Sequence, residues 1–279
     1  MDGQPVALFT GASTGIGQAT AELLAANGFS VFGTSRTPSS QSARGYTMLP
    51  LDVRSDASVD AVVRAVSERS GRIDLLVNNA GYAMTGAIEE NSIADAQAQF
   101  DTNLFGVMRM TNAVLPLMRR RGGGRIINIS SVLGQAALPY IGLYAASKFA
   151  LEGLTEALRD ELYQFNIYVS LIEPGFVKTN FVAQRAAQPI DDYAAARQAA
   201  LQFTSTGIAH GMQPGMVARA ILAAATTPNP RLRYPVGREA KLLPTLKRLL
   251  PESAFERVRR RLVKPIVAGR RKPQPQRSE

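Results

Sequence analysis

Short apolar runs alternate with longer stretches of helical periodicity along most of the chain. The runs VALFT near residue 6, SVFGTS near 30, TMLPLDV near 47, DLLVNNAG near 74, RIINIS near 125, YVSLIEPG near 168 and RLRYPVG near 231 read as strands. Between them, VDAVVRAVSERS, FDTNLFGVMRMTNAVLPLMRRR and YAASKFALEGLTEALRDELYQF set apolar side chains three and four residues apart, as helices with one buried face do. Strands alternating with helices predict an α/β chain built on a single doubly wound parallel sheet with helices on both faces. No repeat or linker divides it, so residues 1–256 are expected as one domain. The stretch 180–212 interrupts the rhythm between a strand and the next helix, and an insertion of that length is expected to be a substrate lid.

Composition narrows the chemistry. The 279 residues are 46% apolar and 19% charged, the balance of a globular domain, and include no cysteine and one histidine, His210. Disulfides, thiolate zinc sites and cysteine nucleophiles are excluded, a Ser-His-Asp triad is disfavoured, and no metal site is expected. His210 lies in the turn-like GIAHGMQPG and is read as a loop residue. No apolar run reaches bilayer length and MDGQPVALFT lacks the plan of a secretory signal, so the chain is expected to be soluble and cytoplasmic. The net charge of +10 is concentrated at one end: residues 257–279 carry nine basic side chains and one acidic one, while the body is nearly neutral. Residues 257–279 are therefore expected as a basic tail with a disordered end, and a nucleic-acid partner is disfavoured for the domain.

The first strand runs into Thr10-Gly11-Ala12-Ser13-Thr14-Gly15-Ile16-Gly17 and then a helix. Glycines at such a turn let backbone approach a pyrophosphate, to which the helix N-terminus offers free N–H groups. Gly11, Ser13, Thr14, Gly15, Ile16 and Gly17 are thus candidate cofactor contacts. An NAD site usually presents an acidic side chain about 20 residues on, yet no Asp or Glu occurs between Glu22 and Asp52. The second strand instead delivers Arg36, flanked by Ser35 and Thr37 with Arg44 nearby, and a guanidinium matches a phosphate. This favours NADP(H).

Tyr144-Ala145-Ala146-Ser147-Lys148 opens a helix, and i to i+4 spacing puts phenol and ammonium on one face, where the cation is expected to lower the phenol pKa. Ser131, thirteen residues earlier, ends a strand, so both reach the sheet edge where open α/β folds bind ligands. Together with Asn78-Asn79-Ala80-Gly81, Asn103, and Pro174-Gly175 followed by Thr179, the chain from about residue 5 to 240 resembles the short-chain dehydrogenase/reductase family, in the subgroup with T-G-x-x-x-G-x-G and Y-x-x-x-K motifs.

The resemblance implies a Rossmann-type fold and residue roles. Tyr144 would be the general acid for carbonyl reduction, Lys148 would bind the nicotinamide ribose and depress the tyrosine, Ser131 would hydrogen-bond the substrate oxygen, and Asn103 would support a water-linked relay to Lys148. Asp52 and Val53 would sit by the adenine, Asn79, Ala80 and Gly81 beside the adenosine ribose, and Pro174, Gly175, Val177 and Thr179 along the nicotinamide and pyrophosphate. Tyr82, Met84, Leu133, Leu138, Tyr140, Phe176 and Phe181 are expected to wall the substrate side, an apolar set that suits a lipophilic ketone, aldehyde or secondary alcohol. FALEGLTEALRDEL and RYPVG look like steroid- and retinoid-type members, and helices over 103–121 and 144–164 resemble those through which the family pairs, implying a homo-oligomer. Two other readings stay open: a catalytically silent NADP-binding regulator, and a basic-tail protein binding nucleic acid or, peripherally, a membrane surface.

Overall fold

All seven apolar runs pair in one sheet. The structure is a computed structural model and describes residues 3–38, 45–179, 183–186 and 188–267. Strands β1 (Val6–Phe9), β2 (Ser30–Ser35), β3 (Thr47–Pro50), β4 (Leu75–Asn78), β6 (Gly124–Ile129), β7 (Ile167–Pro174) and β9 (Arg233–Val236) lie in the order β3-β2-β1-β4-β6-β7-β9, every pair parallel. The order reverses between β1 and β4, the switch point at which open α/β sheets bind ligands.

Alternation along β1 shows how both faces are buried. Val6 and Leu8 join one apolar cluster with Val62 and Val66 of α2 (Asp56–Ser70) and Met110, Val114 and Met118 of α4 (Gly106–Arg121). Ala7 and Phe9 join another with Leu24 of α1 (Gly15–Ala26) and Val217 and Ile221 of α7 (Pro214–Thr226). A strand covered on both sides has no polar alternation, which is why VALF reads as a continuous apolar run. Local chemistry sets the helix ends: at α2 the Ser55 hydroxyl accepts the Ser58 N–H, and Gly71 closes it at φ 68°.

Before α4, helix α3 (Ile93–Phe100) passes through a widened turn, Asp101–Phe105, with five-residue hydrogen bonding. Helix α5 (Gly142–Tyr163) follows β6 and carries the Tyr-Lys pair. The stretch 180–212 includes β8 (Gln184–Arg185), which pairs with β5 (Met84–Thr85), and α6 (Ala194–Ala209). Its far end is tied back where the Met212 N–H bonds to the Phe176 carbonyl and the Lys178 N–H to the Met212 carbonyl.

The carboxyl end differs from expectation. Helix α8 (Arg238–Leu249) is followed by α9 (Glu252–Val267), so residue 257 falls inside a helix rather than at the start of a tail. Phe255, Val263 and Ile266 are buried and α9 packs on α6, while Arg257, Arg259, Arg260 and Arg261 face outward. The arginines hide the apolar period of this helix. Residues 268–279, the expected disordered end, lie outside the described residues. Among the described residues no helix is long and apolar enough to cross a membrane.

Candidate active site

The glycine turn is shaped by close approaches. Gly11 (φ 71°) and Gly15 (φ 57°) hold left-handed backbone. A Cβ on Gly17 would lie 1.9 Å from the Gly11 carbonyl oxygen, so only glycine lets α1 begin there. Asn79 braces the turn from β4: its side-chain amide donates to the Thr10 and Gly11 carbonyls, while Thr10 Oγ1 accepts the Asn79 and Ala80 N–H groups. Across the cleft, the Thr179 methyl lies 3.1 Å from where a Gly15 Cβ would be. Ser13 and Thr14 are exposed at the mouth of this cradle, Ile16 is partly buried, and Pro174 and Val177 are buried at the base of the opposite wall beside Gly175. A backbone cradle at a helix N-terminus, too tight for a side chain, fits a dinucleotide pyrophosphate.

At the end of β2, Arg36 is exposed, and the Ser35 hydroxyl is buried without a partner among the described residues. Asp52 sits close by with its carboxylate bonded to the Arg54 guanidinium at 2.7 Å and to the Arg54 N–H at 3.0 Å, which with the Arg36 charge holds it down at about 2. Val53 is buried and meets the space left by Gly106. Arg44 and Phe181 lie outside the described residues.

Three of the expected site residues converge at the end of β6. Ser131 is buried and its hydroxyl oxygen accepts the Leu133 N–H at 3.1 Å, leaving its own proton to donate. Tyr144, in the first turn of α5, is hydrogen-bonded to Ser131; burial pushes its phenol up to about 12 against that bond. The Lys148 ammonium donates to the Ile129 carbonyl at 2.7 Å and lies 5.7 Å from the centre of the Tyr144 ring; burial lowers it to about 8. The expected lowering of the phenol is not seen in this structure, where desolvation outweighs the Ser131 hydrogen bond. Asn103, in the widened turn, is fully buried; its side chain holds both backbone groups of Tyr82 and donates to Ser147. Its side chain makes no direct bond to Lys148.

Of the expected wall, Tyr82, Leu133, Leu138, Tyr140 and Phe176 are partly buried and Met84 is buried. Tyr140 takes φ 61°, rare for a side chain of this size, and its ring meets Tyr193 edge-on. Phe176 packs edge-on against Phe203 of α6. A narrow cavity beneath α6, lined by Leu138, Tyr140, Ala200, Phe203 and Ile266, adjoins these residues without including Ser131, Tyr144 or Lys148. His210 ends α6 with its ring nitrogen 3.0 Å from the Thr206 carbonyl.

Two charged constellations escaped the sequence reading. Glu90 is buried and ion-paired with Arg197 of α6, and it accepts the Ala87 and Ile190 N–H groups, which fastens the insertion to the body. Glu152 of α5 and Glu173 of β7 are buried together behind Lys148, between Gln135 and Arg233; burial and the Glu152 charge push the Glu173 carboxyl up to about 7. Their sequence signal was slight, since an acid in a helix or at a strand end is usually solvated.

The family model for short chain dehydrogenases matches residues 5–190. Over 236 residues, 83% of this chain and 87% of the relative, the sequence is 40% identical to 3-ketodihydrosphingosine reductase of Bacteroides thetaiotaomicron. Over 142 residues it is 49% identical to retinol dehydrogenase 8 of Homo sapiens, a match spanning 51% of this chain and 45% of that one. A solved short-chain dehydrogenase from Streptomyces avermitilis is similar along 95% of this chain and 96% of its own, with a TM-score of 0.80 and 34% identity.

Proposed function

The chain belongs to the short-chain dehydrogenase/reductase family, whose members move a hydride between a nicotinamide cofactor and an alcohol or carbonyl group, and from that premise we propose that it is an NADP(H)-dependent reductase of a lipophilic ketone or aldehyde. The observation that carries this reading is the convergence of Ser131, Tyr144 and Lys148 at the end of β6, with the Tyr144 hydroxyl protonated at neutral pH. The nicotinamide, when bound, supplies the hydride that forms the new C–H bond. The Tyr144 hydroxyl gives its proton to the carbonyl oxygen, and Ser131 donates to that oxygen as charge develops on it. Lys148 holds a positive charge beside the phenolate left behind and is the group for the nicotinamide ribose. Gly11 to Gly17 and Thr179 would take the pyrophosphate, Asn79 to Gly81 the adenosine ribose, and Asp52 and Val53 the adenine edge.

Arg36 at the end of β2 supports NADP(H) over NAD(H), because a cation and a buried hydroxyl with no partner among the described residues stand where an NAD site has a carboxylate. The apolar walls from Met84, Leu138, Tyr140 and Phe176 support a lipophilic substrate, as do the relatives named for 3-ketodihydrosphingosine and retinol. The test is NADPH oxidation across long-chain ketones, retinoid aldehydes and aldohexoses, with wild type and Tyr144→Phe. The wild type should consume NADPH with lipophilic carbonyls, and the variant should lose about a thousandfold or more in kcat with NADPH affinity within twofold. Binding of NADPH without turnover on any carbonyl would make the protein a sensor instead, and a phenylalanine variant that keeps most of its turnover would remove Tyr144 as the acid.

A further inference from the structure

Behind Lys148 lies a second charged centre to which α5, β7, β9 and the turn after Ser131 contribute. Glu152 is one helical turn beyond Lys148 on α5, and Glu173 is the residue before the Pro174-Gly175 wall; they are 5% and 3% exposed. Their carboxyl groups share two donors. Gln135 Nε2 donates to both, at 3.0 and 3.1 Å, and Arg233 Nε on β9 meets the same two oxygens at 3.0 and 3.1 Å. The other Glu152 oxygen, Oε1, has no donor among the described residues. Two buried carboxylates packed around one guanidinium favour keeping a proton on the pair.

The same centre grips the turn that carries Ser131. Gln135 closes that turn, and a Cβ on Gly134 would stand 2.8 Å from Ser130 Oγ and 3.1 Å from Glu152 Cγ, so turn and helix are in contact. The charged groups facing the pair are Lys148 and Glu156 on α5, Arg233 on β9, and Glu239 and Lys247 on α8. Glu156 pairs with Arg233, Glu239 abuts Gly175, and Lys247 donates to the Gln135 carbonyl. Of the pair itself, Glu152 acts on the Lys148 ammonium through space and favours its charged form.

We propose that Glu152 and Glu173 are positioning residues that hold one proton between them, lock the Ser131 turn and the Pro174 wall to α5, and on losing that proton add a negative charge behind Lys148. The inference rests on Lys148 serving the reaction, but its decisive readout does not need turnover. Glu carboxyl and Lys Cε carbons, isotope-labelled, are followed by NMR through a pH titration of wild type, Glu152→Gln and Glu173→Gln, amides that keep shape and accept the same donors. The wild type should show one carboxyl titrating near neutrality, and both variants should lose it. The Lys148 midpoint should fall by about one pH unit in Glu152→Gln and by less in Glu173→Gln, since Glu152 is the nearer charge. The alkaline limb of kcat/KM should move acid-ward by the same amount in Glu152→Gln, with KM for the carbonyl unchanged. No near-neutral carboxyl in the wild type, or an unmoved Lys148 midpoint in both variants, overturns the proposal; the first of these is read without any variant having to fold. A Lys148 midpoint that moves while the rate profile does not upholds the pair and rejects the role of Lys148 in the reaction.

Discussion

On the proposed reading, single side chains set two outcomes, cofactor choice and direction. A charge-assisted contact to phosphate contributes about 1.5–3 kcal/mol, roughly 10- to 150-fold in affinity. Arg36→Ala should therefore raise KM for NADPH by that order, leave KM for NADH nearly unmoved, and lose the difference as salt rises; equal loss of both cofactors in steady-state kinetics would remove Arg36 as the discriminator. Direction follows from the phenol. With burial pushing the Tyr144 phenol up to about 12, the proposed acid for reduction stays protonated across neutral pH, whereas oxidation of an alcohol would first have to strip that proton. Initial rates should accordingly be nearly flat for reduction between about pH 6 and 8 and rise with pH for oxidation; a flat oxidation profile would contradict the assignment. Tyr144, Lys148 and Ser131 were legible in the sequence because each is placed by local geometry, a helical i to i+4 pair and a strand end. The pair of Glu152 and Glu173 was not, because α5, β7 and β9 meet only in the folded sheet, and an isolated acid in LEGLTEAL looks like a solvated helix face.

Elements were legible where burial is continuous. The seven sheet strands announce themselves as apolar runs since helices cover both faces, but β5 and β8 have two residues each and no apolar signature; their pairing is imposed by the insertion lying across Met84–Thr85. Helix α9 was misread as a tail for the opposite reason, its few apolar positions being outnumbered by arginines. The turn into α1 gives a test at this scale. Gly17→Ala pushes a methyl into the Gly11 carbonyl, backbone that cannot swing aside, and should cost about 1–3 kcal/mol with a Tm lower by roughly 2–12 °C. NADPH affinity, measured by its own fluorescence, should collapse in the same variant; an unaltered affinity would mean that the turn does not carry the pyrophosphate.

At the scale of the whole molecule, the basic end is part of the architecture around the cleft. Phe255, Val263 and Ile266 bury against the body, and α6, which α9 braces, is the largest piece of the insertion. Deleting residues 252–279 should lower Tm by roughly 8 °C or more and raise KM for a lipophilic substrate, while NADPH affinity, set at the other end of the sheet, stays within about twofold. An unchanged KM would separate α9 from the substrate side. The order in which the chain is made gives this brace another meaning. The glycine turn and β1 to β4 lie in the first third of the polypeptide, so a nucleotide-holding half can assemble early on the ribosome. Glu90 then waits through about a hundred residues of synthesis for its partner Arg197, and Ile266 arrives later still. A nascent chain stalled before α9 would already own its cofactor cradle and its Tyr144, yet would leave α6 unbraced and the apolar wall open to water and to chaperones.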